Sequence, residues 1–139
     1  MIKEITTFIE TKAGLTRDTD LFAGHRPQGT VAACDVVLES SGGSVLFDLP
    51  ERADIMFQVS SRDETYFTAR ARAWAIYDAI FRDWTLGSAG WLLPLDPLIL
   101  VKTHEIMIID PLSTPQYVGQ DEKSRYEFST NYLMKIKKL

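Results

Sequence analysis

The residues that could carry out chemistry in this chain are two histidines, His25 and His104, and one cysteine, Cys34. Neither histidine belongs to a spaced ligand set such as the His-Glu-x-x-His motif of zinc enzymes. His104 and Glu105 are adjacent, so on a strand their side chains point to opposite faces. Cys34 lies in an apolar stretch with no neighbouring histidine to lower its pKa. These residues therefore indicate neither a metal site nor a cysteine nucleophile, and we interpret Cys34 as a small buried hydrophobic residue.

The carboxylates and glycines do not form a catalytic pattern either. Asp18 and Asp20 flank Thr19, and Glu51 and Asp54 flank a turn, but neither pair is spaced for acid–base catalysis. The glycine pair at 42–43 is followed by Ser-Val, whereas a phosphate-binding loop requires Lys followed by Ser or Thr. We therefore expect a protein that is not an enzyme and that has no cofactor, metal or catalytic residues.

Size and composition favour a single globular domain that spans residues 1–139. Hydrophobic residues make up 45% of the chain, the net charge is −4 and the pI is about 5.1. A net negative charge argues against a nucleic-acid-binding protein, because such proteins use clustered Lys and Arg to neutralise the phosphates. The chain has no run of roughly eighteen apolar residues, and acidic residues interrupt the N-terminal segment where a signal peptide would be apolar. We expect folding in a cytoplasm and no membrane contact.

The segment 114–138 organises the predicted fold. In its second half, residues 126–137, those of one parity are mainly apolar or aromatic and those of the other parity are mostly polar, which predicts a strand with one buried face. The buried set is Tyr126, Phe128, Thr130, Tyr132, Met134 and Ile136. The lysines at 135, 137 and 138 are interpreted as protection of an edge strand against stray pairing, with contact to a partner as the alternative.

A polar turn at 119–124 precedes this strand. Gly119 and Asp121 are the candidate structural residues of the turn. Gly119 is expected to need a positive φ, which glycine adopts without steric cost. Asp121 is interpreted as a residue that shapes or solvates the turn.

Two helices are predicted. Residues 2–13 have helical spacing of apolar residues and end at Gly14, a typical C-terminal cap. A longer helix is predicted over 62–83, because Ser61 and Glu64 match a capping box and small or apolar residues follow at spacings of three and four.

The remaining segments predict short strands at 21–27, 30–39, 45–47, 53–60 and 98–109, the last as one strand or as two joined at 102–105. A loop is predicted at 40–44. This order of elements indicates an α+β fold: a largely antiparallel or mixed β-sheet with one short N-terminal helix and one long helix packed on it. An apolar connector at 91–95 is either tucked under the core or part of an interface.

Several segments also resemble a known family in their order and spacing. They are Leu15-Thr16, residues 20–27, Gly42-Gly43, residues 48–54 and 58–62, Tyr66-Phe67, Ala69-Arg70, residues 75–78 and 117–122, Arg125, Phe128-Ser129 and Asn131-Tyr132. Together they resemble the minor capsid protein family of long-tailed bacteriophages, and specifically its tail terminator, or tail-completion, proteins.

The resemblance implies a structural role in the virion, at the head–tail junction, after synthesis in the host bacterial cytoplasm. Tail terminators form a ring, and we expect a hexamer. The ring caps the tail tube, stops its polymerisation and docks to the head connector or stopper protein. Genomic DNA passes through the lumen without specific binding, and the acidic balance of this chain suits that passage.

A closed ring requires a head-to-tail interface between copies. The candidate interface residues are Glu39, Ser41, Gly42, Gly43, Ser44 and Val45 in the predicted hairpin, and Trp91, Leu92 and Leu93 in the apolar connector. Two alternatives remain open. One is another head–tail joining protein, a connector adaptor or stopper, and the other is a small ligand-binding domain.

Overall fold

The computed structural model describes residues 2–24, 33–41, 52–82, 99–101 and 104–138. Within these ranges the chain forms two α-helices and seven strands. In chain order they are α1 (Ile2–Ala13), β1 (Leu21–Ala23), β2 (Cys34–Ser41), β3 (Arg52–Asp63), α2 (Tyr66–Tyr77), β4 (Ile99–Val101), β5 (His104–Pro111), β6 (Gln116–Gln120) and β7 (Tyr126–Lys138). A short π-helical segment, Asp78–Arg82, continues α2.

The seven strands form one mixed sheet in the order β1-β2-β3-β7-β5-β4, and β6 also pairs with β7. The β1–β2 pair is parallel, and the other pairs are antiparallel. Both helices contribute to one core with the strands, so they cover the same face of the sheet. The predicted α+β class with a mixed sheet is confirmed.

The strand β7 lies in the middle of this sheet. Its ladder with β3 runs unbroken from the pair Arg52–Lys137 to the pair Asp63–Tyr126. On its other side, β5 pairs with the second half of β7 and β6 with the first half. The interpretation of its lysines as protection of an edge strand is therefore wrong, because the last strand is inserted between strands that precede it in the chain.

The alternation along β7 matches the packing. Phe128, Thr130, Tyr132, Met134 and Ile136 are all buried on the helix-covered face. Tyr132 stacks on Phe57 of β3 with the ring centroids 5.1 Å apart. The same core takes Ile5, Phe8 and Ile9 from α1, Ile76 from α2 and Ile80 from the π-helical segment. Burial of each large apolar side chain contributes about 2 kcal/mol, so this layer holds the helices on the sheet.

The first helix coincides with the predicted one. Gly14 follows α1 with φ +68°, and its N–H donates to the carbonyl oxygen of Glu10 at 3.1 Å. The N–H of Leu15 donates to the same carbonyl at 3.2 Å. These bonds satisfy a carbonyl that the helix itself leaves without a partner.

The second helix begins later than predicted and its α-helical part is shorter. The residues from Ser61 to Asp63 belong to β3, because the ladder with β7 continues to Asp63 and holds this segment extended. The helix is capped instead by Thr65, whose Oγ1 accepts a hydrogen bond from the N–H of Thr68 at 3.3 Å. The capping box that we predicted at Ser61 and Glu64 is therefore not formed.

Two strand predictions need correction, and the structure decides between the alternatives for a third. The first strand ends at Ala23, and Gly24 follows with φ +81°. Strand β2 continues to Ser41, through the start of the predicted loop, with a register shift after Glu39. The predicted segment 98–109 forms two strands, β4 and β5, which was one of the two alternatives. The short strand predicted at 45–47 lies outside the described residues.

Gly119 occupies a backbone conformation that other residues rarely adopt. It lies within β6 with φ +143°, next to a register shift after Tyr117. A Cβ built at Gly119 would meet nothing within 4 Å, so any penalty for a side chain there comes from the backbone. The backbone of Gly119 is therefore constrained within strand β6, and not in the turn that we predicted to begin there.

We expect Gly119→Val to lower the free energy of unfolding by about 2 kcal/mol, because backbone strain of this kind costs about 1–3 kcal/mol. Denaturant unfolding followed by circular dichroism measures the change. Val118→Ala is the matched control, since Val118 is 60% exposed and its loss should cost less than about 0.5 kcal/mol. An unchanged unfolding midpoint for Gly119→Val would contradict the argument from backbone strain.

Candidate interaction surface

A cluster of aromatic rings lies where α2 begins. Tyr66 is at its centre, with ring centroids 5.2 Å from Phe128, 5.4 Å from Tyr117 and 6.0 Å from Tyr126. Phe67 packs edge-on against Tyr66 at 5.4 Å. Such edge-to-face contacts stabilise aromatic pairs beyond the area that they bury. We call these five residues the aromatic patch.

The local sequence explains why the patch forms there. Strand β3 ends at Asp63 and α2 begins at Tyr66, so the first turn of the helix lies over the start of β7. Ala69 and Ala73 are buried against Phe128, and their small side chains allow the helix to approach the sheet closely. Tyr117 reaches the cluster from β6, which pairs with no strand other than β7 in the described part of the chain.

Much of the patch is exposed to solvent. Phe67 is 80% exposed, Tyr117 47% and Tyr66 37%, whereas Phe128 is buried beneath them. Adjoining exposed aromatic side chains are typical of protein–protein contact surfaces, which are enriched in Tyr and Phe. The buried rings hold the exposed ones in place, so a partner would meet a preformed surface.

The turn between β6 and β7 is built on Asp121. Its Oδ1 accepts the backbone N–H groups of Lys123 at 3.0 Å and Arg125 at 2.9 Å. Its Oδ2 accepts the side-chain Nε of Arg125 at 2.7 Å and lies 3.7 Å from Nη1 of Arg62. Arg62 is 2% exposed and Arg125 is 7% exposed, so the carboxylate neutralises guanidinium charge that is withdrawn from water.

These contacts also set the protonation of Asp121. Partial burial opposes its ionised form, but the hydrogen bonds from Arg125 and Lys123 outweigh that effect and hold the pKa of Asp121 below its ordinary value. The carboxylate is therefore ionised at neutral pH, and the turn is held by charge-assisted hydrogen bonds.

A second ion pair joins β2 to α2. Oδ2 of Asp35 lies 2.8 Å from Nη2 of Arg72, and the Asp35 side chain is 1% exposed. Burial raises the pKa of the Asp35 carboxyl above its ordinary value, and the charge of Arg72 opposes this rise without cancelling it. The pair places a charge–charge contact between the sheet and the helix that carries Tyr66 and Phe67 of the aromatic patch.

The predicted site residues that the structure describes lie on different elements. Glu39 is exposed on β2, and Ser41 is the last residue of that strand. Gly119 lies in β6, and Asp121 begins the turn that follows it. The other predicted interface residues, Gly42, Gly43, Ser44, Val45, Trp91, Leu92 and Leu93, lie outside the described residues.

The aromatic patch was not among the predicted site residues. Helical spacing assigned Tyr66 to the buried stripe of α2. The predicted turn began at residue 119 and so did not include Tyr117. The available signal was the adjacent pair Tyr66-Phe67 at the start of a helix, since two neighbouring helical positions cannot both face the core. The approach of Tyr117 to Tyr66 depends on the sheet topology and has no local signal.

Neither a metal site nor a membrane span is found in the described ranges. No group of three or more His, Cys, Asp and Glu side chains there is arranged to hold a metal ion. No helix among those residues has the length and apolar character needed to cross a membrane. His104 lies in β5, opposite Lys138 in the ladder, and His25 is outside the described part of the chain.

Comparison with known proteins identifies a similar fold. No family model and no curated protein matches this chain. Among solved structures, the fold is similar to that of a chain in the virion of a native gene transfer agent (GTA) particle, with a TM-score of 0.60 and 14% sequence identity. The match covers 93% of this chain and 84% of that chain. At this identity the similarity shows a shared fold.

Proposed function

We propose that this protein is a structural component of a virion, and specifically a tail terminator that forms a ring at the head–tail junction. The observation that supports the proposal most is the shared fold with a chain from a gene transfer agent virion, over 93% of this chain. The order of family-like segments in the sequence favours the terminator among virion proteins. The proposal treats residues 1–139 as one non-enzymatic domain.

In this proposal the ring caps the tail tube, ends its polymerisation and binds the head connector or stopper protein. Ring closure requires that two different surfaces of the chain meet, since a contact between identical surfaces ends at a dimer. The exposed rings of the aromatic patch supply one such surface. The segments 39–45 and 91–93 remain candidates for contacts with neighbouring copies.

Assembly with the tube protein tests the proposed function. We expect the purified chain to form a closed ring, a hexamer, when mixed with tail-tube protein, and light scattering after size-exclusion chromatography gives its mass. Virions or tails made without this protein should have overlong, headless tubes in electron micrographs. A chain that stays monomeric with both tube and connector proteins would contradict the proposal.

The same experiment separates the proposal from the connector adaptor or stopper. A terminator should bind the end of the tail tube, whereas an adaptor or stopper should bind the portal side. Binding to portal-side proteins without binding to tubes would replace the terminator assignment with the adaptor or stopper. DNA is expected to pass through the lumen without specific binding, in line with the net charge of −4.

A further inference from the structure

The two ends of the long β3–β7 ladder differ in charge. At one end, Asp63 and Glu64 lie shortly before the aromatic patch, with Thr65 between Glu64 and Tyr66, and Glu64 is exposed. At the other end lie four basic residues, which we call the basic end: Arg52, Lys135, Lys137 and Lys138. Lys135 and Lys138 are exposed. The chain therefore carries aromatic rings with nearby acidic residues at one end of this ladder and basic residues at the other.

The chemistry of the aromatic patch suits a cation. Faces of exposed tyrosine and phenylalanine rings attract ammonium and guanidinium groups, and this attraction strengthens when water is excluded. Glu64, which is exposed and lies two residues before Tyr66 in the chain, adds a carboxylate as an ion-pair partner for the same cation. A lysine-rich strand end, with its aliphatic stems, can cover the rings while its charged groups reach the carboxylates.

One copy cannot bring these two surfaces together. Strand β7 runs from Tyr126, in the patch, to Lys138, at the basic end. At about 3.3 Å per residue this separation is about 40 Å along a paired strand. The complementary surfaces can therefore meet only between two copies of the chain.

We propose that the basic end of one copy docks on the aromatic patch of the next copy. Two different surfaces take part, so the contact is head-to-tail and can close into a ring. This inference rests on the proposed ring function and identifies the surfaces that form the ring contact. Other charges oppose the overall pattern. Lys123 is exposed in the turn near the patch, and Arg70 is exposed one helical turn after Phe67. Asp54 and Glu105 are the ladder partners of Lys135 and Lys137. The test therefore uses Glu64 and Lys138.

A charge swap between the two surfaces tests this contact. We expect Lys138→Glu and Glu64→Lys each to weaken self-association about tenfold, because each places like charges together in the contact. The double variant should return to within about threefold of the unaltered chain, since the opposite charges face each other again. Sedimentation velocity over a concentration series, with tail-tube protein present, measures the association. Lys12→Glu is the matched control, because Lys12 is exposed on α1.

Tyr117→Ser provides a second, uncharged test of the same contact. We expect it to weaken association about tenfold, while Val118→Ser, at an exposed neighbour on the same strand, has a smaller effect. Circular dichroism melting of each variant separates lost association from lost folding.

The outcomes distinguish the inference from the proposed function. If every variant still assembles into rings with unaltered affinity, or if the charge swap gives no recovery, this contact is wrong and the ring function stands. If the unaltered chain does not assemble with tube protein, the proposed function fails and the inference fails with it.

Discussion

Replacement of Asp121 by alanine is expected to lower the free energy of unfolding by about 3 kcal/mol. This carboxylate accepts hydrogen bonds from two backbone N–H groups and from the side chain of Arg125, and lies 3.7 Å from Arg62. Removing one partner of a buried charge contact costs about 3–5 kcal/mol, because the remaining charge stays out of water. The partial exposure of Asp121 places the estimate at the lower end. Chemical denaturation at pH 7 measures the change.

Two comparisons make the Asp121 prediction specific. Glu122→Ala removes an exposed carboxylate from the same turn and should cost less than about 0.5 kcal/mol. The folded-state pKa of Asp121 is lowered, so its contribution is complete above the ordinary Asp value of 3.8 and is lost as the pH falls further. The stability difference between the unaltered chain and Asp121→Ala should therefore shrink only below about pH 4. Equal losses for Asp121→Ala and Glu122→Ala would contradict the role of this turn.

Replacement of Arg72 by methionine is expected to have a similar effect, about 3 kcal/mol at pH 7. Methionine preserves much of the apolar stem but leaves the Asp35 carboxylate, which is 1% exposed, without its ion-pair partner. Asp35→Asn should cost less, because Arg72 is 22% exposed and can turn its charge toward water. Thermal or denaturant unfolding of the two single variants and the double variant gives the coupling between the side chains.

The pH dependence at Asp35 has the opposite sign from that at Asp121. The pKa of Asp35 is raised in the folded state, so folding favours its protonated form. Its ionisation therefore reduces stability as the pH rises from 3.8 through the raised value. In Arg72→Met the destabilisation should be larger at pH 7 than near pH 4. A loss that does not change with pH would show that Arg72 acts through packing alone.

Local sequence patterns predicted the elements whose stability is local. Helix α1 has its apolar stripe and its Gly14 cap within one short segment, and both are found as predicted. The two faces of β7 follow from the alternation along that strand. For these elements, the residues that decide the structure are neighbours in the chain.

The errors arise where distant residues decide the structure. The segment from Ser61 to Glu64 fits a capping box by itself. Pairing with β7 up to Asp63, and with β2 at Ser61 and Arg62, holds its first three residues extended. The central position of β7 depends on β5 and β6 meeting it from the other side. The aromatic patch depends on Tyr117 reaching Tyr66, which lies 51 residues earlier in the chain. None of these long-range contacts produces a periodic pattern in the sequence.

The central position of β7 has a consequence for synthesis of the chain. A ribosome extends the chain from its N-terminus, so β3, β5 and β6 leave the exit tunnel before the strand with which all three pair. The strands on the two sides of β7 therefore cannot join into one sheet until residues 126–138 have been synthesised. Pairings of this kind, between distant parts of a chain, fold slowly and leave strand edges open in the meantime. A translation pause or truncation before Tyr126 therefore exposes the strand edges that drive nascent chains to aggregate.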